Sequence, residues 1–328
     1  MNSSFLYDKN KILKNRPLVV LTGPTAVGKT KASIGFAKVI GGEIISADSM
    51  QVYRGMDIGS AKIKKEEMEG VPHHLIDVLN PDEECNVMIF QKMAKAAIEE
   101  IYDRGHIPII TGGTGFYIQS VLYDISFAEE ADNSIRKELE EMAEKEGPQA
   151  LYDILVSVDP EYAASLHANN VKRVIRAIEF YKVNGYPLSK HNETEHEKES
   201  PYMFRYYVLD LPREILYERI EKRIDNMLVD GLVEEVSTLK KQGFDRSFVS
   251  MQGLGYKEIL DVLDQKCTLE EAVSIMKRDT RHFAKRQLTW FRREKEVTWV
   301  KKGDYTDEDA LCQWLVQDYY KHIGSRLE

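Results

Sequence analysis

The stretch Leu18–Thr30 constrains this chain most. A short apolar run, Leu18-Val19-Val20-Leu21, leads straight into Gly23-Pro24-Thr25-Ala26-Val27-Gly28-Lys29-Thr30 and then into a helical pattern. In a strand–loop–helix setting, the glycines let successive backbone N–H groups turn inward around a phosphate. The lysine supplies a point charge and the Thr30 hydroxyl can hold Mg²⁺. The alternative, a glycine-rich turn that only packs a helix on a strand, leaves Lys29 and Thr30 without a task.

The rest of the first third alternates in the same way. Lys31–Ile40 has helical spacing and stops at Gly41-Gly42. Glu43–Ala47 reads as a buried strand delivering Asp48 and Ser49 at its carboxyl end. Asn86–Arg104 is helical by period, Ile107–Ile110 is the next strand, and Thr111-Gly112-Gly113-Thr114 follows as a loop. Strands alternating with helices predict a parallel sheet, whose ligands sit beyond the carboxyl ends of the strands. That rule brings the phosphate loop, Asp48 and Thr114 to one crevice.

Beyond Tyr123 the texture changes. Glu129–Leu188 reads as consecutive helices around Arg136–Lys145, Ala150–Val156 and Val171–Val183, with Asn169-Asn170 capping the last. His191–Ser200 is charged and without period, which predicts a mobile linker. Arg205–Leu211 is a strand again and Arg213–Val229 a helix. Val297–Val300 is a last strand and Asp307–Tyr320 a closing helix. The expected architecture is α/β: a P-loop parallel-sheet core with helices on both faces, residues 1–125 and 205–328, carrying an all-helical insertion at 126–204. A chain of 328 residues suits that division, because single cores seldom grow past about 250–300 residues.

The net charge of −9 gives no global attraction to nucleic acid or to an anionic membrane, so any polyanion must meet a local patch. Cys85, Cys267 and Cys312 form no C-x-x-C pair and indicate neither a zinc site nor a disulfide framework. Met1–Asp8 lacks a continuous apolar segment and no run approaches the ~18 apolar residues of a membrane span. A soluble, cytoplasmic, monomeric protein with no membrane contact is expected.

Several residues can carry chemistry at the crevice. Asp48 can ligate Mg²⁺ or act as a general base, against the plainer reading of a helix cap. Arg219 and Arg223 are four apart, hence on one helix face, where a guanidinium can clamp a diphosphate. An ordinary solvated face fits that spacing equally well. Between Lys277 and Lys295 stand eight basic residues and two acidic ones, interleaved with His282, Phe283, Trp290 and Phe291. Basic charge with aromatic faces suits a nucleic-acid backbone and unstacked bases. Phe283, Leu288 and Phe291 are the expected core members of that set. Lys172, Arg173 and Arg176 open an insertion helix against the macrodipole, a conflict that a bound phosphate relieves.

With these residues assembled, the chain closely resembles the bacterial tRNA dimethylallyltransferases, also called tRNA isopentenyltransferases. The likeness runs through Gly23–Thr30, Ser46–Lys62, Gly112–Tyr117, Arg219–Arg223, Gly253–Lys257 and Lys285–Arg292, nearly the whole length. It implies transfer of a dimethylallyl group from its diphosphate to N6 of an adenine beside the tRNA anticodon. By the same resemblance Asp48, Thr25 and Arg223 are catalytic, and Gly23, Pro24, Thr25, Ala26, Val27, Gly28, Lys29 and Thr30 hold the diphosphate. Thr30 takes Mg²⁺. Asp48, Ser49, Met50, Gln51 and Thr114 hold the target nucleotide. Arg136, Lys172, Arg173, Arg176, Gln252, Gly253, Lys257, Lys285, Arg286, Gln287, Trp290 and Arg292 match positions that touch the anticodon stem-loop. The chain departs from the family pattern at His167-Ala168-Asn169-Asn170, at Cys85 and at Asn80. The serious rival is a P-loop kinase of a nucleotide or small metabolite, which shares crevice, Mg²⁺ and base; a second is a non-enzymatic RNA-binding module resting on the basic segments, which gives no reason for Asp48 facing a P-loop.

Overall fold

The computed structural model describes residues 9–127 and 133–327. Met1–Asp8 and the first residues of the acidic insertion stretch, 128–132, lie outside them. The chain forms two compact units, one taking the chain as far as Leu122 and again from Pro201, the other Tyr123–Ser200.

The first unit is a six-stranded sheet in the order β3-β2-β4-β1-β5-β6, every pair parallel. In chain order its elements begin with α1 (Lys9–Lys14), β1 (Pro17–Thr22), α2 (Lys29–Ile40), β2 (Gly42–Ala47), β3 (His73–His74), α3 (Val87–Asp103), β4 (Ile107–Gly112) and α4 (Gly115–Leu122). The second unit is helical: α5 (Asn133–Glu146), α6 (Pro148–Val158), α7 (Pro160–Ala164), α8 (Val171–Asn184) and α9 (Leu188–Glu197). The first unit resumes with β5 (Met203–Asp210), α10 (Arg213–Val229), α11 (Leu232–Lys241), α12 (Tyr256–Leu263), α13 (Leu269–Phe291), β6 (Val297–Lys301) and α14 (Glu308–Leu327).

Central strands β1, β2 and β4 are almost wholly buried, as continuous apolar runs in a parallel sheet require. Helix α2 ends where Gly41 adopts φ 67°, the left-handed conformation that glycine takes without a Cβ clash. At the start of α3 the Asn86 side chain accepts from the N–H groups of Met88 and Ile89, a cap worth about 1 kcal/mol.

Register fixes the working edge. Thr22 pairs with Gly112 and Val208, and Ala47 also pairs with Gly112, so Gly23, Asp48 and Gly113 leave the sheet side by side. The strands approach closely there: a Cβ at Gly112 would stand 2.1 Å from the Ala47 carbonyl oxygen. The Thr22 hydroxyl donates to Gly112 O and the Thr114 N–H to Ala47 O, which ties the three strand ends together.

The insertion has its own core of Leu139, Leu151, Leu155, Val174, Ala177 and Ile178. Two expectations fail in it. His191–Ser200 is no linker, because most of it is helix α9. Glu195 accepts from the Ser126 N–H, Lys198 donates to Asp124 O and Ser126 Oγ, and His191 packs against Phe180 and Tyr186. Those anchors replace the apolar stripe whose absence suggested a linker. Asn170 stands at the N-cap of α8 without a side-chain cap bond, its φ of −79° and ψ of 49° lying outside the usual capping conformation.

Candidate active site

The phosphate loop is wound tightly at the head of α2. Gly23 (φ 149°), Ala26 (φ 65°) and Gly28 (φ 94°) take positive φ, and Ala26 does so with a Cβ, a local strain that functional sites commonly hold. Lys29 Nζ donates to the carbonyls of Gly23 and Pro24 at 3.0 Å each, folding its charge over the loop mouth. Burial lowers its pKa to about 8, Arg223 pushes the same way, and Asp48 opposes them.

Helix α10 brings both arginines to this loop, although both side chains remain solvent-exposed. Arg219 donates to Val27 O at 3.4 Å and Arg223 to Thr25 Oγ1 at 3.3 Å. Arg223 is solvent-accessible yet hemmed by protein, so desolvation pulls its pKa below the ordinary value while the Asp48 charge raises it. Asp48 is half-buried and its Oδ1 accepts the Met50 N–H at 2.9 Å. Thr25, Lys29, Asp48 and Arg223 therefore gather at one crevice, although they span almost 200 residues of sequence.

The segment after Asp48 is built as a rigid platform. Gln51 accepts from Ser46 Oγ and donates to Ala61 O, and the nearly buried Lys62 ammonium holds Tyr53 O, Asp57 and Asp77. Glu235 on α11 accepts the N–H groups of Asp57, Ile58 and Gly59 and the Tyr256 hydroxyl. Glycines make this approach possible: a Cβ at Gly59 would stand 2.6 Å from the Tyr256 ring, and one at Gly253 2.5 Å from Met50 Cε. Gln252 is exposed and donates to Arg246 O, while Lys257 is half-buried beside Glu258. The Gln252–Lys257 stretch thus braces the platform that carries Ser49 and Met50. Lys62 and Glu235 were not singled out in the sequence, where isolated charges in a polar stretch give no signal.

Helix α13 closes over the Gly113 loop. Gln287, expected to touch tRNA, is 6% exposed. Its amide accepts the Thr25 N–H at 2.9 Å and donates to Gly113 O at 2.9 Å, joining the phosphate loop to the end of β4. Its place on the buried stripe Met276, Ala284, Gln287, Phe291 is a signal readable at helical spacing. Trp290 lies across Gly115, whose Cβ would stand 2.2 Å from the indole, and meets the exposed Phe116 edge-on. Phe291 is core, whereas Phe283 and Leu288 are half-buried. The basic run is partly neutralised: Lys277 pairs with Asp225, Arg278 with Asp279 and Arg281 with Glu221. Lys285, Arg286 and Arg292 stay exposed, and Lys285 and Arg292 line a cavity of about 490 Å³ beyond the ends of β5 and β6.

In the insertion, Lys172, Arg173 and Arg176 are all exposed on the first turns of α8. No acidic side chain pairs with them among the described residues. Arg136 instead donates to Glu179 at 2.8 Å.

Hard-oxygen chemistry at the loop fits Mg²⁺. Thr30 is exposed at the start of α2, and Asp48 offers a carboxylate at the same crevice. Among the described residues no group of three or more His, Cys, Asp or Glu side chains can hold a metal.

Fold and site define a P-loop α/β transferase whose phosphate loop faces a carboxylate. The IPP transferase family model matches residues 51–294. The tRNA dimethylallyltransferase of Lachnoclostridium phytofermentans is 61% identical over 92% of this chain and 97% of its own length. That of an Exiguobacterium species is 51% identical over 89% and 92%. The full-length tRNA isopentenylpyrophosphate transferase of Bacillus halodurans superposes with TM-score 0.72 at 44% identity, covering 95% of this chain and 98% of that one. A eukaryotic dimethylallyltransferase acting on tRNA superposes with TM-score 0.76 at 31% identity, covering 91% and 75%. The chain belongs to the IPP transferase family. Among the described residues, no helix is long and apolar enough to cross a membrane.

Proposed function

We propose that the protein transfers the dimethylallyl group of dimethylallyl diphosphate to N6 of A37, the adenine 3′ to the anticodon in tRNA, giving N6-dimethylallyladenosine and diphosphate. The convergence of Thr25, Lys29, Asp48 and Arg223 on one crevice carries this reading. Adenine N6 is a weak nucleophile because its lone pair is delocalised into the ring, so it needs a base at the amine. Asp48 takes the N6 proton as the N–C bond forms and the allylic C–O bond breaks. The electron pair leaves with the diphosphate, whose growing charge meets the loop N–H groups, Lys29 and Arg223. Mg²⁺ held by Thr30, when bound, neutralises part of that charge. No nucleotide is consumed.

The target base has to leave its stack in the anticodon loop, which costs a few kcal/mol that phosphate contacts can offset. Lys285, Arg286 and Arg292 on α13 and Lys172, Arg173 and Arg176 on α8 supply such contacts, as exposed cations. Ser49, Met50 and Thr114 hold the flipped nucleotide, while Gln51 and Gln287 act one step back by fixing the loops that carry them. One chain supplies every group, and the reaction runs where tRNA is found, in the cytoplasm.

The test is a transfer assay with radiolabelled dimethylallyl diphosphate, Mg²⁺ and an unmodified anticodon stem-loop, with ATP absent. Label in the RNA is the expected result. Turnover of ATP on a small acceptor, with none of the label transferred, would replace the transferase with a kinase.

A further inference from the structure

Three charged side chains outside the familiar loop residues converge on Gly28. A Cβ there would stand 2.7 Å from Lys302 Nζ, 3.8 Å from Arg219 Nη1 and 4.0 Å from Glu308 Oε1. Register accounts for the approach: Lys301 pairs with Asp210 at the end of β5, so the turn after β6 opens on the same edge as the phosphate loop. Gly28 is therefore fixed twice, by its φ of 94° and by an ammonium occupying the space of a side chain.

The Lys302 side chain is only 7% exposed, and its one ion pair among the described residues is to Glu308 at 2.6 Å. A cation this buried needs a partner for its charge, and Glu308 supplies it. Glu308 Oε2 is buried and has no hydrogen-bond partner among the described residues. Among the loop's cations, Lys29 donates to the carbonyls of Gly23 and Pro24 and Arg219 to that of Val27, whereas Lys302 donates to no loop carbonyl. Among the described residues Lys302 has one hydrogen-bond acceptor, Glu308 Oε1, so two of its three N–H groups remain beside a loop built for anions.

We propose that Lys302 is a further cation of the diphosphate site, tethered by Glu308 and drawn to phosphate oxygen when the loop is filled. The inference rests on the transferase reading above. In it Glu308 competes with the ligand: it holds the ammonium next to Gly28 and yields part of it to the incoming anion. Carboxylate and diphosphate then pull on one ammonium, so removing one or the other has opposite consequences.

Calorimetric titration of the full-length protein with inorganic pyrophosphate, in magnesium buffer without tRNA, separates the possibilities. Lys302→Met is expected to weaken pyrophosphate about tenfold and to raise KM for dimethylallyl diphosphate more than it lowers kcat. Lys302→Arg retains most of the affinity. Glu308→Gln is expected to tighten pyrophosphate by roughly two- to fivefold, although it removes the same ion pair. A purely structural pair predicts the same sign for both variants, and that outcome, or changes under twofold in both, would overturn the proposal. If the unaltered protein bound no pyrophosphate, the transferase reading itself would fail and this assignment with it.

Discussion

Strand β2 has a carboxylate at each end, and the two are treated in opposite ways. Glu43, at the amino end, is 2% exposed and fully engaged: Oε1 accepts from Arg104 Nε and His106, and Oε2 from Arg104 Nη2 and His74. Burial alone would raise its pKa, but the hydrogen bonds from Arg104, His74 and His106 hold it at about 2. Asp48, at the carboxyl end, accepts one backbone N–H and forms no ion pair among the described residues, although Lys29 and Arg223 are near enough to feel its charge. A satisfied charge holds the fold, whereas an under-satisfied charge among unpaired cations is free to work on a ligand.

Replacing each carboxylate is the widest test of that contrast. Asp48→Ala is expected to lower kcat by about 10³-fold, within the range of a lost general base. Affinity for tRNA should stay within a few-fold, and the urea midpoint should not fall, because no ion pair is broken. If tRNA binding were lost in step with kcat, Asp48 would be a positioning group and the contrast would weaken.

Glu43→Ala should do the reverse. Removing the one acceptor that Arg104, His74 and His106 share is expected to cost about 3 kcal/mol of folding free energy, seen as a lower urea midpoint with kcat intact in the folded protein. The sign with pH follows from a depressed carboxyl. Its stabilisation is complete above the ordinary carboxylate value of 4.5 and is lost as pH falls towards about 2. The gap in midpoint between the unaltered protein and Glu43→Ala should therefore shrink between pH 5 and pH 3; a constant gap would mean that the cluster acts through packing alone.

The same contrast explains what could be seen in the sequence. Strands β1, β2, β4 and β5 and helix α10 were legible because a buried parallel strand is a continuous apolar run and an amphipathic helix has a period. The loop was legible because its glycines have a conformational reason. Helix α9 was not, since Glu195, Lys198 and His191 hold it by individual contacts that leave no period. The basic run on α13 overstated its field, because three of its cations meet acids from the helix itself or from α10. Lys302 and Glu308 gave no sign at all, for their meaning depends on the register of β6.

Lys29 gives the smallest and sharpest test, because its charge is held against the interest of the fold. With its pKa lowered to about 8, first by burial and then by Arg223, the folded protein binds fewer protons than the unfolded chain between about 8 and the ordinary 10.5. Stability from this one group therefore rises with pH across that window, and the difference in urea midpoint between the unaltered protein and Lys29→Met isolates it. Activity moves the other way. The ratio kcat/KM for dimethylallyl diphosphate reports the free enzyme, so it should fall above pH 8 by up to about tenfold per unit as the ammonium is lost. Arg223→Gln removes a neighbouring positive charge and should shift that descending limb to higher pH even while lowering the rate. A limb that stayed in place would mean that Lys29 is depressed by burial alone. The loop would then be tuned by its own tight winding, with the arginine across the crevice acting only on the ligand.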